Sequence, residues 1–238
     1  MRRLWKWLVL GLVVVVGLAV AGWYFFLKTD PEPRAAIKET PIVTTTTVAG
    51  QDSSSSSASG LDGTWTVKAG NTQNFVGYRV TEKLVANISE SEATGRTDNV
   101  TASMKIDGTT VSDVTVTADL RDLQSDNSFR DGRIRSEGLE SDEFPEAEFV
   151  LTEPITLTAV PAAGETVTTE AKGKFTLHGV TKDVTISLEG RYDGKQVQVV
   201  GNMPIAFDDY GVSAPSAPAV ASVDDHGEVE LQLFFDKS

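Results

Sequence analysis

From Leu61 to the C-terminus, apolar and polar side chains alternate in one segment after another. In "KQVQVVGNMPIAF" the residues Val197, Val199, Gly201, Met203, Ile205 and Phe207 share one parity, and Gln196, Gln198, Val200 and Asn202 share the other. Period two marks a strand with one buried face. The same alternation runs through Val114, Val116, Ala118 and Leu120, through Val184, Ile186 and Leu188, and through Val229, Leu231, Leu233 and Phe235. Asp107–Gly108 and Asp193–Gly194 supply the hairpin dipeptide that tolerates positive φ at both turn positions. Segments near 63–68, 74–84, 92–106, 111–120, 146–152, 166–177, 182–192, 196–206 and 228–236 predict roughly eight antiparallel strands once neighbours merge.

The alternation fails across "SDNSFRDGRIRSEGLES", 125–141. Phe129, Arg133, Ile134 and Arg135 can share helical turns there, with Asp126 or Ser128 as the cap, and Gly132 and Gly138 keep the helix short. An all-antiparallel sheet of this extent must bury one face, and closure into a barrel does so while removing exposed edges. About eight strands enclose an interior that side chains fill or that one small ligand occupies. A sandwich satisfies the same alternation, so the residues favour a barrel only slightly. Gly77 and Gly201, within strands, suggest space or a bend inside.

Ahead of this domain the pattern differs. Leu8 to Leu27 is a run of twenty residues without a charge, and twenty helical residues span about 30 Å, a bilayer's hydrocarbon thickness. Arg2, Arg3 and Lys6 precede it and Trp5, Trp7, Trp23 and Tyr24 flank it. This predicts a single transmembrane anchor over 1–28, with the N-terminus cytoplasmic and everything after Lys28 outside. A cleaved signal peptide ending near Ala19–Ala21 is the rival; it leaves the apolar "GWYFFL" exposed and exports the domain as a secreted, extracellular or periplasmic protein. Residues 29–60, rich in Thr, Ser and Pro, bury little and read as a disordered tether reaching on the order of 30 Å. The folded domain is expected over 61–238.

Charge and composition narrow the function. The 238 residues carry 21 basic and 34 acidic side chains, and most of the acidic excess falls after residue 59. Such a surface repels phosphate backbones, which excludes nucleic acid as a partner. There is no cysteine, hence no disulfide, thiolate metal site, cysteine nucleophile or lipidated cysteine. Any membrane attachment is therefore made by the protein itself. His178 and His226 are the only histidines, too few for a histidine metal site, and the acidic pairs Asp208–Asp209 and Asp224–Asp225 lack EF-hand spacing. No metal, cofactor or catalytic set is expected. "NIS" at Asn87 and "NVT" at Asn99 match the glycosylation pattern without further support.

Two stretches resemble the YceI-like polyisoprenoid-binding family. In "SFRDGRIRSEGLESDEFPEAEF" the resemblance rests on Arg130–Asp131, Ile134–Arg135–Ser136, Phe144–Pro145 and Phe149. In "GKFTLHGVTKDVTISL" it rests on Gly173, Phe175 to Lys182 and Val184. The chain departs from the pattern at Arg133, where a histidine is expected, and in the opening strands, which lack another. The resemblance implies an exported, lipocalin-like eight-stranded antiparallel barrel with a short helix, whose elongated apolar cavity accepts an isoprenoid chain such as a quinone tail or a polyprenyl lipid. It implies a binding protein and no catalytic residues.

On that reading the expected cavity lining is Trp65, Tyr78, Phe129, Ile134, Leu139, Phe144, Phe149, Leu177, Val199, Met203 and Phe207, with Arg130 and Arg135 meeting a polar head. A guanidinium fork suits an oxyanion, although pairing with Asp126, Asp131, Glu137 and Glu140 is the favoured reading for any one arginine. His178 and Gly179 are read as a structural turn, since a catalytic histidine needs a positioned partner. The expected partners are an isoprenoid lipid or quinone and, through the N-terminal helix, the membrane, with a homodimer left open. An envelope β-domain with a filled core is the alternative, because a lined cavity and a packed core want the same residues at the same period.

Overall fold

The computed structural model describes residues 31–37, 60–84, 90–215 and 220–238, together with Val14 and Val16. The strands are β1 (Gly63–Val67), β2 (Phe75–Leu84), β3 (Glu90–Thr97), β4 (Val100–Asp107), β5 (Thr110–Asp119), β6 (Gln124–Ser125) and β7 (Glu146–Leu151). They continue with β8 (Ile155–Thr156), β9 (Thr166–Leu177), β10 (Val180–Tyr192), β11 (Gln196–Ala206), β12 (Val220–Val223) and β13 (His226–Lys237). Among the described residues of the barrel, one helix, α1 (Ser128–Arg133), runs into a π turn over Ile134–Gly138. The expected anchor over 1–28 lies outside the described residues apart from Val14 and Val16. No helix among the described residues is long and apolar enough to cross a membrane.

The sheet is antiparallel in the order β1-β4-β5-β7-β9-β10-β11-β13, and β13 pairs back onto β1 with Trp65 opposite Lys237. That pairing closes a barrel. Further along the same edge of β13, Arg79 of β2 stands opposite Glu228. β1 and β2 thus lie end to end as one stave, and β3 and β4 form the next, which gives eight staves in all. The stave expected over 92–106 is broken at Asp98–Asn99, where the Asn99 N–H turns to the Thr97 hydroxyl at 3.2 Å. The polar stretch between Asp208 and Gly227 contains a short strand, β12, paired with the end of β2.

The barrel has two unlike ends. At one, which we call the hairpin end, lie the tight turns joining β4 to β5 and β10 to β11. At the other, the helical end, lie α1, the π turn and the 3-10 turn Phe207–Tyr210. The cap of α1 is Asn127, not Asp126 or Ser128: its side-chain oxygen accepts from the N–H groups of Phe129 and Arg130 at 3.0 and 3.3 Å. This satisfies donors that a helix start leaves orphaned.

Inward parity follows the sequence pattern, and Val197, Met203, Leu233 and Phe235 are all buried. The two strand glycines act differently from expectation. A Cβ on Gly77 would meet the Gly95 carbonyl and the Arg96 side chain, so this glycine clears the path of Arg96 across the wall. A Cβ on Gly201 would lie 2.5 Å from Leu188, so the space there is already filled by a neighbour.

The tether expected over 29–60 is not uniformly free. Residues 31–37 lie flat on the outer wall, crossing from β3 over β2 and β13 to β11. The Glu32 N–H donates to Thr94 at 3.0 Å, Arg34 pairs with Glu92 at 3.2 Å and with Glu228 at 2.8 Å, and Gln198 donates to the Ala36 carbonyl at 3.0 Å. Composition missed this because the partners are charges on the distant barrel wall. Arg79 and Glu230, 4% and 3% exposed, form an ion pair at 3.3 Å beneath the segment. Arg79 also donates to the Glu32 carbonyl at 2.7 Å, and Arg96 to the Pro33 carbonyl. Buried guanidinium groups need such acceptors, because desolvation costs several kcal/mol per uncompensated ion. Residues 38–59 lie outside the described residues.

Candidate functional site

The inward faces do not meet across the whole interior. Toward the hairpin end they leave a cavity of about 140 Å³, bounded among others by Val116, Phe149, Ile186, Val199, Leu231 and Phe235. Toward the helical end they leave a second, of about 120 Å³, bounded among others by Tyr78, Ile134, Leu139, Leu177, Phe207 and Val229. Nearly every atom facing either space is carbon. For scale, an apolar cavity of about 150 Å³ stays dry and accepts a benzene-sized guest.

Residue register explains where the two spaces divide. Met203, 3% exposed, borders neither, and it stands opposite Val229 of the helical-end chamber, two register pairs from Leu231 of the hairpin-end chamber. Phe149 stands opposite Phe175 in the neighbouring strand, and its ring lies over Gly173, where a Cβ would come within 2.4 Å of it. Glycine at 173 therefore seats the aromatic ring that bounds the hairpin-end chamber. Methionine, unbranched and flexible, is the natural filler for an irregular junction.

The structure distributes the expected lining residues unevenly. Tyr78, Ile134, Leu139, Leu177 and Phe207 border the helical-end chamber, and Phe149 and Val199 border the hairpin-end one. Trp65 borders neither: it is buried against Tyr192, edge to face at 5.9 Å, and donates its ring N–H to the Leu61 carbonyl at 2.7 Å. Phe129 is 58% exposed on the outer side of α1. None of the six residues of α1 is buried, so the helix offers no covered side to seat Phe129. Phe144 packs outside the chambers against the His178 ring, centroids 4.4 Å apart.

The arginines expected at a polar head are held by carboxylates. Arg130 pairs with Glu82 at 2.9 Å and with Asp126 at 2.6 Å. Burial opposes its charge, but Glu82, Tyr78 and Asp126 more than offset that, and its pKa lies above the ordinary arginine value. Arg135 points away from the interior and pairs with Asp142 at 2.5 Å on the surface. The Tyr78 hydroxyl is buried without a hydrogen-bond partner among the described residues, and burial pushes its pKa up, so it stays neutral.

His178 and Gly179 form the two-residue turn between β9 and β10, with φ of 51° and 73°. Positive φ at both positions is the signature of the type I′ hairpin turn, whose twist matches that of the strands it joins. The imidazole joins three loops: Nδ1 lies 3.2 Å from the Tyr210 carbonyl and Nε2 2.9 Å from the Glu140 carboxylate. Both partners are acceptors, so only a doubly protonated ring donates to both at once. Neither contact brings a nucleophile, and no group of three metal-binding side chains occurs among the described residues. Sequence reasoning missed the inward members of β10 and β13 as chamber walls, although their period-two pattern carried that signal.

With this geometry in place, comparison with known proteins decides the family. The profile of the YceI-like domain matches residues 52–235. The chain belongs to the YceI-like domain family. The matched region begins before the boundary expected at Leu61, within the Ser-rich stretch. Among solved structures, this YceI-like chain resembles a polyisoprenoid binding domain from Saccharophagus degradans implicated in plant cell wall breakdown, at 19% identity and a TM-score of 0.57, covering 73% of this chain and 98% of that one. It resembles Burkholderia cenocepacia BcnA at 18% identity and a TM-score of 0.52, covering 68% and 96% respectively. A Campylobacter jejuni YCEI protein matches at 16% identity and a TM-score of 0.50, covering 60% and 84%. These likenesses establish the fold. No curated protein matches the chain.

Proposed function

We propose that this chain is an extracytoplasmic binding protein, tethered to the membrane by its N-terminal apolar run, whose barrel holds the tail of an isoprenoid lipid, a quinone or a polyprenyl chain. The observation that carries the reading is the pair of apolar chambers strung along the barrel, about 140 and 120 Å³. The polyisoprenoid-binding neighbour supports the ligand class. Each buried CH₂ contributes about 0.8 kcal/mol, so a tail of several isoprene units binds tightly with few polar contacts. Each chamber as it stands takes roughly one branched unit, and a longer tail reaches both once Met203 swings aside.

Arg130 is already occupied by two carboxylates and Arg135 lies outside, so in this reading the ligand's head stays at the rim in contact with water. The test uses residues 31–238 stripped of lipid and refolded, incubated with a long-chain quinone or a polyprenol and examined by native mass spectrometry. One adduct per chain is expected, with the tail protected from extraction. A folded protein that retains neither lipid contradicts the proposal and returns the filled-core reading.

A further inference from the structure

We infer that the docked segment 31–37 turns the helical end of the barrel toward the bilayer, with Phe129 meeting the lipid surface. This rests on the anchor reading of residues 8–27 given above.

The first support is chain length. Between the last residue of the apolar run, Leu27, and Glu32, which makes the first hydrogen bond to the wall, stand only four residues. Fully extended, that connection reaches about 17 Å. Its landing point is not central on the barrel. The first wall contact, Glu32 with Thr94, falls four residues from the start of β3 at the helical end and thirteen from Asp107, the finish of the β3–β4 stave at the hairpin end. At about 3.3 Å per residue those distances are near 13 Å and 43 Å. The connection reaches the helical end of β3 and falls well short of the hairpin end.

The second support is lateral position. The first hydrogen bond of the segment, from the Glu32 N–H, goes to Thr94 of β3, so the chain leaves the wall on the β3 side. β3 also pairs with β6, Gly95 opposite Ser125, and β6 leads into α1. Phe129 on that helix is the one large aromatic side chain exposed among the described residues of the barrel. An exposed aromatic is suited to a membrane interface, where an apolar ring is removed from water. Electrostatics does not drive the contact, because Arg130 and Arg133, which follow Phe129 on α1, are matched by Glu82, Asp126 and Glu137. The helical-end chamber, bordered by Ile134 and Leu139 of the segment that follows α1, then lies next to the membrane.

The chain has no cysteine, so single labels are simple to place. The full-length protein is reconstituted in phosphatidylcholine vesicles with a fluorophore on Ser128→Cys, which keeps Phe129, or on Lys195→Cys at the hairpin end. A quencher carried on the lipid chains is then added. Severalfold stronger quenching at 128 than at 195 is expected. Phe129→Ala should weaken it, and Arg34→Glu, which sets a carboxylate against Glu92 and Glu228, should abolish the difference. Equal quenching at both positions, or a difference that survives Arg34→Glu, overturns the inference. Flotation separates this failure from that of the anchor: a chain that does not rise with the vesicles refutes the anchor and the orientation together, whereas one that rises with equal quenching refutes the orientation alone.

Discussion

The chamber at the hairpin end is walled largely by long paired strands, whereas the chamber at the helical end is walled in part by a π turn, a 3-10 turn and the loop Val212–Pro215. Both are lined by carbon, so the two differ in what it takes to open them. Separating strands means breaking consecutive ladder hydrogen bonds. Moving the loops means releasing a few side-chain contacts, chiefly those of His178 and the packing of Phe144 on Gly179. One uniform apolar lining is thus held by a rigid wall at one end and a looser one at the other, which on the proposed function are the sleeve and the opening. A tail would enter at the helical end and come to rest toward the hairpin end.

Substitutions at the two chambers separate their walls. The largest effect is expected from Phe149→Ala, which removes the ring seated on Gly173 and should destabilise the barrel by about 3–5 kcal/mol in urea unfolding. Leu139→Ala at the half-buried lip of the other chamber should cost less, about 2 kcal/mol. Equal losses would mean that the two walls are equally rigid. Val199→Phe, which fills the hairpin-end chamber, should abolish retention of long tails while leaving short prenols bound, as read by native mass spectrometry. His178→Ala should cost about 1 kcal/mol and raise amide exchange at 140–144 and 207–211, with no change at the β10–β11 turn.

The smallest effect concerns acid. Arg121 beside Asp119 holds its carboxyl below the ordinary carboxylate range, through a side-chain hydrogen bond. A depressed folded-state pKa contributes stability that is present above the unfolded value, near 3.9, and is lost as pH falls through the folded one. Asp119→Asn should therefore lower stability slightly at neutral pH and leave it unchanged in strong acid, measured as a flatter acid-unfolding curve.

Much of the fold was legible because a strand's two faces differ chemically. The alternation in 196–206 matches β11 to the residue, and the pattern of Val229, Leu231, Leu233 and Phe235 matches the inward face of β13. β12 escaped notice because "VASV" is short and sits in a polar, Pro-bearing stretch. The site was less legible. Tyr78, Leu177 and Val199 border the chambers, yet Phe129 faces solvent and Trp65 packs beside the chambers, since aromatic character alone does not say which side of a short helix or strand end is covered. Ion pairing of the arginines was legible at Asp126 and Glu137, but Glu82, forty-eight residues from Arg130, becomes its partner only when β2 and α1 come together. The docked segment 31–37 escaped composition altogether, because the groups that hold it, Glu92, Glu228, Arg79 and Arg96 among them, stand on the wall.

The central claim, that one hydrocarbon tail threads both chambers, is tested most directly by methyl NMR of the barrel carrying a single long-chain quinone. Contacts from the tail to Val199 and Leu231 and also to Leu139 and Val229, with the Met203 methyl displaced, are the predicted result. Tail contacts confined to one chamber, with Met203 unmoved, would contradict it.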